Sequence, residues 1–583
     1  MKFLLVAINA KYIHSNLGVY SLQAYAAQRL AEQASSWTIE IGEYTINHQM
    51  ELILKDIYRR KPDAIGCSCY IWNIDYMRDL IRDLHKLRPK MQIWLGGPEV
   101  SYDAAQVLRD EPGVTGIMVG EGEETFAQLM ESYEHGAADC ETLPAPAWYG
   151  VDGLVFRGSD GAIVTNPIRP VMDMSRIPFS YRNLDGFEHK IIYYESSRGC
   201  PYSCSYCLSS IDKSVRFRDL SLVKTELDFF LEHRVSQVKF VDRTFNCKKS
   251  HALAIWSYIL EHDNGITNFH FEISADILEE EELAIMRQMR PGLIQLEIGV
   301  QTSNPQTIRE IRRTMDLDKL RGIVSWINQG HNIHQHLDLI AGLPYEGYES
   351  FVRSFHEVYA MRPEQLQLGF LKVLKGSYMA EMAEAYELIY QSRSPYEVLS
   401  TKWICYEELL RLKAVEEMVE VYYNSGQFRR TIESLEGEFS SAFAMFTALA
   451  DYYEEEKLFD IRHNRLARYE ILYQFMQQQQ MQNLSAYRDL LMQDLYLREN
   501  SKSRPSFAMD QGPYKTEVRD FFMAEAKQPL HLLGYEAYDS RQISKMAHVE
   551  VLEDGHMILF DYLNRDPLNY NAKATRIQRL SCT

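Results

Sequence analysis

The feature that most constrains this chain is a loop with three cysteines within eight residues, Cys200, Cys204 and Cys207. Gly199 and Pro201 flank the first cysteine, so the backbone can turn sharply there and then keep a fixed direction. Cysteine binds metals as the soft, deprotonated thiolate. Three thiolates in one short loop therefore predict a set of metal ligands.

Three other interpretations of this loop are a disulfide, a zinc site and unrelated thiols. A disulfide would leave one cysteine over and would need an oxidising compartment. A structural zinc site usually takes its remaining ligands from a second Cys/His pair, and the next cysteine, Cys247, stands alone. An iron–sulfur cluster fits better, because thiolates are its standard ligands. On a four-iron cubane, three thiolates leave one iron open for a substrate or cofactor.

Length and charge narrow the class of protein. A chain of 583 residues predicts about three domains. The net charge of −19 argues against a broad nucleic-acid-binding surface, which would be basic. Nine cysteines in so long a chain suit a reducing cytosol rather than a disulfide scaffold. Since no apolar stretch reaches transmembrane length, we expect a cytoplasmic protein with no membrane partner.

Strand and helix patterns alternate over residues 1–142, which predicts an α/β domain with a doubly wound, Rossmann-like parallel sheet. Its predicted strands are Phe3–Ile8, Thr38–Gly42, Asp63–Cys69, Gln92–Leu95 and Gly116–Val119. In such sheets, ligands bind beyond the carboxyl ends of the strands. Glycines follow two of these strands and would let a ligand approach the backbone closely. From spacing alone, a ligand site and ordinary tight turns are equally good interpretations.

The motifs Gly96-Gly97-Pro98-Glu99 and Gly120-Glu121-Gly122-Glu123, ahead of the cysteine loop, resemble the cobalamin-binding domain of cobalamin-dependent radical S-adenosylmethionine enzymes. The resemblance implies cobalamin at these strand ends. The residues it places there are His14, Tyr70, Ile71, Trp72, Asn73, Gly96, Gly97, Pro98, Gly120, Glu121 and Gly122.

His14 departs from the signature of that family. Elsewhere the signature is Asp-x-His-x-x-Gly, and its histidine ligates cobalt; here His14 has no aspartate two residues before it and three residues separate it from Gly18. We therefore predict no lower axial ligand, and His14 is as good a partner for a strand end as for the corrin. We place Tyr70, Ile71, Trp72 and Asn73 beneath the ring instead.

Residues 143–189 predict a linker. Leu143-Pro-Ala-Pro146 interrupts the αβ pattern, as prolines between domains often do. Two strand-like runs, 153–157 and 162–165, then flank a glycine-containing turn and predict a small β-hairpin.

Six further strands alternate with helices over residues 190–376, which predicts a (β/α)6 partial barrel. The strands are Ile191–Glu195, Gln237–Val241, Asn268–Ile273, Leu293–Gly299, Ile333–Ile340 and Gln365–Val373. The reactive face of such a barrel is at the carboxyl ends of its strands. Because the cysteine loop follows the first strand, we expect it on that face.

The motif Cys200-x-x-x-Cys204-x-x-Cys207 at the first strand end, followed by six αβ repeats, closely resembles the radical S-adenosylmethionine (SAM) superfamily. The resemblance implies a [4Fe–4S] cluster on the three cysteines and a fourth iron that binds the methionyl amine and carboxylate of SAM. It further implies reductive cleavage of SAM to a 5′-deoxyadenosyl radical, with electrons from a donor such as flavodoxin or ferredoxin.

The same resemblance places three residues at SAM. Tyr206 matches the aromatic position against the adenine, Asp242 the contact to the methionyl amine, and Glu272 a carboxylate that can hold the ribose hydroxyls. Each carboxylate could equally be an exposed strand-end residue or a salt-bridge partner. Their recurrence at the same relative position in successive repeats favours the site.

Two later strands add polar residues that share a strand face, since side chains at every second position point the same way. They are Glu297, Gly299 and Gln301 on the fourth strand, as a wall of the SAM pocket, and His334, His336 and Asp338 on the fifth. The second group could ligate a metal. More often such residues line a polar lumen and bind substrate or move protons.

Residues 377–583 predict a mostly helical C-terminal domain that ends in a hairpin with Asp554-Gly555 at its turn. The sequence shows no catalytic side chain. The resemblance favours methyl transfer to an unactivated carbon or phosphorus centre of a small molecule or peptide. Cobalamin-assisted oxidation, cyclisation or rearrangement remains an alternative, and a non-catalytic sensor is another. Methylthio transfer to RNA is disfavoured, because Cys67, Cys69 and Cys140 do not suggest the second cluster of that family.

Overall fold

Two parallel sheets dominate the fold, and helices cover both of them. The structure, a computed structural model, describes residues 2–31, 37–136, 146–211 and 213–577. Two α/β units are followed by a mostly helical region, which confirms the predicted fold class. Cys140 and residues 143–145 of the predicted linker lie outside the described residues.

The N-terminal sheet is doubly wound, as predicted. Its parallel strands are β1 (Lys2–Asn9), β2 (Thr38–Thr45), β3 (Ala64–Ser68), β4 (Gln92–Gly96) and β5 (Gly116–Met118). Its helices are α1 (Leu17–Ala31), α2 (Met50–Arg60), α3 (Ile74–Leu87), α4 (Pro98–Ser101), α5 (Ala104–Asp110) and α6 (Glu123–Gly136). The strand order is β2-β1-β3-β4-β5.

Strand β1 shows why helices cover both faces of this sheet. Phe3, Leu5 and Ala7 belong to the core that includes residues of α1 and α6. Leu4 and Ile8 point the other way, into the core that includes residues of α2 and α3. A strand buried on both faces needs an uninterrupted apolar run, and the chain supplies one directly after its start.

The hairpin that the sequence places in the linker belongs instead to the N-terminal sheet. Its strands are β6 (Leu154–Arg157) and β7 (Ile163–Thr165), and β6 pairs antiparallel with β5. Strand β5 is only three residues long and would otherwise be the open edge of the sheet. Covering that edge removes its exposed backbone groups from contact with other chains.

The central sheet is the predicted partial barrel. The strands of this region are β8 (Ile192–Tyr194), β9 (Ser197–Arg198), β10 (Arg216–Phe217), β11 (Gln237–Phe240), β12 (Asn268–Ile273), β13 (Ile294–Gln301), β14 (His334–Ala341) and β15 (Gln365–Phe370). Its helices are α7 (Leu220–Glu232), α8 (Lys249–Glu261), α9 (Glu280–Gln288), α10 (Pro305–Glu310), α11 (Leu317–Asn328) and α12 (Tyr348–Tyr359). Six strands pair in parallel in the order β15-β14-β13-β12-β11-β8, and the ends do not meet. Strands β9 and β10 form a short antiparallel pair that sequence reasoning missed.

Strands β13 and β14 alternate strictly between buried and half-buried residues. The buried set, such as Leu296 and Leu337, joins the apolar core. The half-buried set, which includes Glu297 and His336, is polar apart from Ile340 and a glycine, and faces the lumen of the barrel. The period of two in the sequence therefore predicted the two faces correctly.

The C-terminal region adds helices to the barrel and ends in a small sheet. Its helices are α13 (Tyr378–Glu381), α14 (Tyr406–Val419), α15 (Arg429–Leu435), α16 (Ala442–Glu455), α17 (Arg465–Gln478), α18 (Leu484–Arg498), α19 (Lys515–Lys527) and α20 (Ser540–Met546). Its strands are β16 (Ile389–Tyr390), β17 (Val398–Ser400), β18 (Ala547–Val551), β19 (Met557–Arg565) and β20 (Ala572–Ile577). The hairpin predicted around Asp554-Gly555 is present as β18 and β19, and β20 adds a third strand. No helix among the described residues has the length and apolar character that a membrane crossing requires.

Gly97, at the start of α4, offers a test of the N-terminal fold. Its φ is +111°, and a Cβ there would lie 2.4 Å from the Cys69 carbonyl oxygen. We expect Gly97→Ala to lower the free energy of unfolding by about 2–3 kcal/mol, because the residue would be both strained and overpacked. Urea unfolding followed by tryptophan fluorescence measures the change.

The matched control is Gly150→Ala. No atom lies within 4 Å of a Cβ at that position, so we expect a change within about 0.5 kcal/mol. Equal unfolding midpoints for the two variants would contradict the assigned backbone conformation at Gly97.

Candidate functional site

The cysteine loop lies at the carboxyl end of β8, on the face of the barrel where it was expected. Cys200 and Cys204 are buried and Cys207 is half-buried. Gly199 has a φ of +94°, and a Cβ on it would lie 2.6 Å from the Ser214 carbonyl oxygen. A glycine is therefore required where the chain turns into the loop.

The spacing of the three sulfur atoms argues against a single bound ion. The Sγ atoms of Cys200, Cys204 and Cys207 do not all lie within 4.8 Å of one another. A tetrahedral zinc site with Zn–S bonds of ~2.3 Å would bring them to ~3.8 Å. Thiolates are the standard ligands of iron–sulfur clusters, so the three cysteines of this loop suit the [4Fe–4S] group that the loop predicts.

Asp242 braces the segment that leads into the loop. Its carboxylate is fully buried and accepts hydrogen bonds from Ser196 N at 3.0 Å, Ser196 Oγ at 2.7 Å and Ser197 Oγ at 2.5 Å. Burial raises the pKa of Asp242 to about 6, although these hydrogen bonds oppose the shift. Asp242 does not line either cavity described below, and its assignment to the methionyl amine stays a prediction.

A small cavity of about 140 Å³ occupies the carboxyl end of the barrel lumen. We call it the lumen cavity. Glu272, Glu297 and Gln301, predicted as SAM residues, line it together with Asp338. Tyr206 does not; its hydroxyl accepts a hydrogen bond from Arg313 at 3.4 Å. The strand faces thus bring the three strand-end residues to one place, while the adenine contact of Tyr206 stays a prediction.

Glu297 pairs with two basic side chains in the lumen. Lys239 Nζ lies 2.9 Å and His270 Nε2 lies 3.1 Å from its carboxylate. Burial opposes ionisation of Glu297, but His270 and Lys239 outweigh it and hold its pKa well below the usual range. For Glu272, burial and the neighbouring negative charge of Glu297 raise the pKa to about 7. One carboxylate is thus ionised, and the other titrates near neutral pH.

Among the described residues that line the lumen cavity, one buried acceptor and one buried donor are notable for lacking a hydrogen-bond partner. They are Gln301 Oε1 and Arg313 Nε. The register of β13 against β14 shifts between Gly299 and Gln301, and Gln301 has a φ of +72°. An unsatisfied buried donor and acceptor on residues that line one cavity fit a polar cofactor.

His334, His336 and Asp338 share one face of β14, as predicted from their alternate positions. Ligand atoms of Glu297, His336 and Asp338 lie within 4.8 Å of one another, which is close enough for a cation. The ammonium of Lys239 already neutralises Glu297, so a metal is disfavoured. Burial lowers the pKa of His334 to about 4. The group is better described as a polar lumen.

A larger cavity of about 700 Å³ lies between the N-terminal sheet and the first barrel strand. We call it the inter-sheet cavity. His14, Tyr70, Trp72 and Glu121 line it from the N-terminal side, and Gly199 lines it from the cysteine loop. Tyr70 and Trp72 stack at 4.5 Å with an angle of 7° between their rings. The carboxyl ends of the two sheets therefore face each other across one space.

Several residues predicted at cobalamin do not line the inter-sheet cavity, and their assignment stays a prediction. These residues are Ile71, Asn73, Gly96, Gly97, Pro98, Gly120 and Gly122. Asn73 is buried and donates to the carbonyl oxygens of Ile8 and Ser68, both at 2.9 Å. Its side chain closes the strand end and is not available to a ligand in this arrangement.

The segment that follows the barrel contacts α4 and the residues after it. Tyr396 donates to Glu99 at 2.9 Å, and Lys375 pairs with Asp103 at 2.8 Å. The assignment of Gly96, Gly97 and Pro98 to cobalamin stays a prediction. Tyr396 and Glu99 lie nearly 300 positions apart, so the local sequence carries no sign of this contact.

His14 connects the two halves of the site. Its Nδ1 lies 2.6 Å from the hydroxyl of Tyr193 on β8. Burial lowers the pKa of His14. Of the two roles expected for His14, this contact fits the hydrogen bond to a strand. The His14 ring also lines the inter-sheet cavity.

Ion pairs between the β5 strand end and the cysteine loop are the main feature that sequence reasoning missed. Arg198 lies 2.9 Å from Glu123 and 2.7 Å from Glu195, and Arg216 lies 2.6 Å from Glu121. The sequence does contain a signal for these ion pairs: two arginines flank the cysteine loop, and acidic residues follow β5. We call these ion pairs the interdomain clamp.

Three family models match the chain. A B12 binding domain matches residues 4–130, and the radical SAM superfamily matches residues 194–358. A model described as a protein of unknown function (DUF4080) matches residues 384–565. The first two support the resemblance and the cofactors it implies, which are the [4Fe–4S] cluster, SAM and cobalamin.

The curated relatives combine methyltransferases with cyclases. The cobalamin-dependent radical SAM methyltransferase TokK of Streptomyces tokunonensis is 25% identical over 326 residues, 50% of this chain and 44% of its own length. The anaerobic magnesium-protoporphyrin IX monomethyl ester cyclase of Rubrivivax gelatinosus is 23% identical over 321 residues, 52% of this chain and 57% of its own. The chain thus spans about half the length of these relatives.

One solved structure shares the architecture. It is the radical SAM methyltransferase TsrM from Kitasatospora setae, with cobalamin and a [4Fe–4S] cluster bound. The TM-score is 0.52 at 16% sequence identity, over 67% of this chain and 80% of that one. At this identity the likeness is one of fold.

The prediction that Glu272 contacts SAM implies a pH dependence of SAM binding. Above its pKa of about 7 the carboxylate is anionic, so it accepts stronger hydrogen bonds and attracts the sulfonium cation. We expect SAM affinity to rise roughly threefold to tenfold between about pH 6 and pH 8. Equilibrium binding to the anaerobically reconstituted protein measures it.

Glu272→Gln should weaken SAM binding and flatten this profile. Glu281→Gln, at a site on α9 whose side chain is 71% exposed, should leave the profile intact and serves as the control. An unchanged profile in Glu272→Gln would assign the titration to another group.

Proposed function

The chain belongs to the radical SAM enzymes that carry a cobalamin-binding domain, and we propose that it transfers a methyl group to an unactivated carbon or phosphorus centre. The inter-sheet cavity carries the proposal. It is lined by strand ends of the B12 binding domain on one side and by the cysteine loop on the other. A substrate held there would lie between the cobalamin-binding side and the cluster side of the cavity.

The cofactors supply the reactive species: the cluster and SAM provide a 5′-deoxyadenosyl radical, and cobalamin provides a methyl group. The chain orients and shields them. Cys200, Cys204 and Cys207 would hold the cluster, and Glu272 and Gln301 would hold SAM in the lumen cavity. Apolar and aromatic residues of the inter-sheet cavity, such as Phe179, exclude water that would quench a radical.

A reaction without methylation is the second candidate, because cyclases stand among the relatives alongside methyltransferases. The proposed substrate is a small molecule or peptide. An electron donor such as flavodoxin or ferredoxin belongs to the same proposal, since cleavage of SAM consumes one electron that no side chain here supplies.

Cys204→Ala tests the radical chemistry. We expect no cluster assembly and no 5′-deoxyadenosine with dithionite as the reductant, because two thiolates cannot replace three. Iron content and product chromatography measure both. Cys405→Ala, at an exposed cysteine, should behave as the wild type. Persistent SAM cleavage in Cys204→Ala would contradict the assigned cluster site, and no turnover in the fully loaded wild type would favour the sensor alternative.

An isotope experiment separates methylation from the other reactions. Cells that express the wild type or Cys204→Ala receive methionine with a deuterated methyl group, and their extracts are compared by mass spectrometry. We expect a labelled compound that only the wild type produces. A compound that depends on the wild type but carries no label would instead indicate oxidation, cyclisation or rearrangement.

A further inference from the structure

Arginines dominate the positive charge around the two cavities. Five of them line one cavity or the other: Arg198, Arg216, Arg218, Arg243 and Arg313. An arginine presents a planar fork of donors that matches a carboxylate or phosphate. Which of the five is available to a ligand therefore indicates what the ligand carries.

Three arginines of the inter-sheet cavity are neutralised by the protein. Each lies within ion-pair distance of a carboxylate that faces it. The pairs are Arg198 with Glu123 and Glu195, Arg216 with Glu121, and Arg218 with Glu226. These guanidinium groups stabilise the fold around the cavity and leave little charge for a ligand.

Of the two cavities, Arg313 lines only the lumen cavity. Its guanidinium donates to the carbonyl oxygen of Gly299, to Tyr206 at 3.4 Å and towards Cys204 Sγ at 3.9 Å. Its buried Nε–H has no hydrogen-bond partner among the described residues, and Arg313 lines the lumen cavity. Arg313 does not line the inter-sheet cavity.

Arg243 differs from all four. It lines both cavities, its side chain is exposed, and its guanidinium makes no hydrogen bond or ion pair with any described residue. Its charge acts on the Glu272 carboxyl in the lumen cavity, where it opposes the rise of the pKa that burial causes. Its neighbours are fixed: Asp242 bonds Ser196 and Ser197, and Thr244 Oγ1 lies 3.7 Å from Cys200 Sγ. The backbone thus presents a cation without an ion-pair partner among the described residues where the two cavities meet, beside the first cysteine.

We propose that Arg243 binds an oxyanion, a carboxylate or a phosphate, of the ligand that occupies the junction of the two cavities. The inference rests on the proposed function for the identity of the cavities. A lone cation in a concave site focuses its field on the ligand, which strengthens the attraction over that of a surface charge. The oxyanion comes either from the substrate, whose class would then be an organic anion, or from the methionyl carboxylate of SAM.

The first arm of the experiment uses the cofactor as the probe. Isothermal titration of the anaerobic, cluster- and cobalamin-loaded protein compares SAM with decarboxylated SAM in the wild type, Arg243→Lys and Arg243→Gln. If the oxyanion is that of SAM, Arg243→Gln weakens SAM binding roughly 10- to 100-fold and leaves decarboxylated SAM unaffected. If it is that of the substrate, both ligands bind Arg243→Gln as they bind the wild type.

The second arm uses acetate and inorganic phosphate as probes on the SAM-loaded protein. A substrate oxyanion site predicts binding of at least one probe to the wild type, with a loss of about tenfold or more in Arg243→Gln and partial retention in Arg243→Lys. Arg109→Gln, at an exposed arginine of α5, is the control and should match the wild type in both arms.

The proposal is overturned if Arg243→Gln changes neither SAM binding nor anion binding. It is also overturned if SAM and decarboxylated SAM weaken equally, because that result indicates a general disturbance of the site. Neither arm requires turnover. A failure of the proposed methyl transfer would therefore leave these results interpretable by themselves.

Discussion

The interdomain clamp fixes the relationship on which the site depends, namely the position of the N-terminal sheet relative to the cysteine loop. Glu123 is almost fully buried, and Arg198 bridges it to Glu195 just before the first cysteine. Buried charges are tolerated only when they are paired, and removing one partner of such a pair typically costs about 3–5 kcal/mol. Two sheets joined only by apolar packing could shift relative to each other, whereas buried ion pairs favour one relative position. The inter-sheet cavity owes its shape to that position.

The elements of the fold were readable from sequence because their signals are local. An uninterrupted apolar run predicted β1, and an alternation of polar and apolar residues predicted the two faces of β13 and β14. The cysteine loop was readable for the same reason, since its three ligands lie within one short stretch. The period of two also placed Glu272, Glu297 and Gln301 correctly on the lumen side of their strands.

What the sequence could not show depends on contacts between distant segments. The close approach at Gly97 is to the backbone of Cys69 at the neighbouring strand end. Lys375 and Asp103, which join the region after the barrel to the N-terminal unit, lie 272 positions apart. The partners of the Asp242 carboxylate likewise follow from tertiary packing. The availability of Arg243 became visible only when the carboxylates opposite the other arginines were known.

The segment after the barrel, which includes Lys375, Met379 and Tyr396, is synthesised after both sheets. It contacts the cysteine loop, where Met379 N donates to the Ser205 carbonyl oxygen at 2.9 Å, and it contacts Glu99 of α4 through Tyr396. A ribosome completes the N-terminal sheet and all three cysteines well before it reaches Tyr396. The contacts of this segment with Glu99 and with the cysteine loop therefore form only after both sheets have been synthesised.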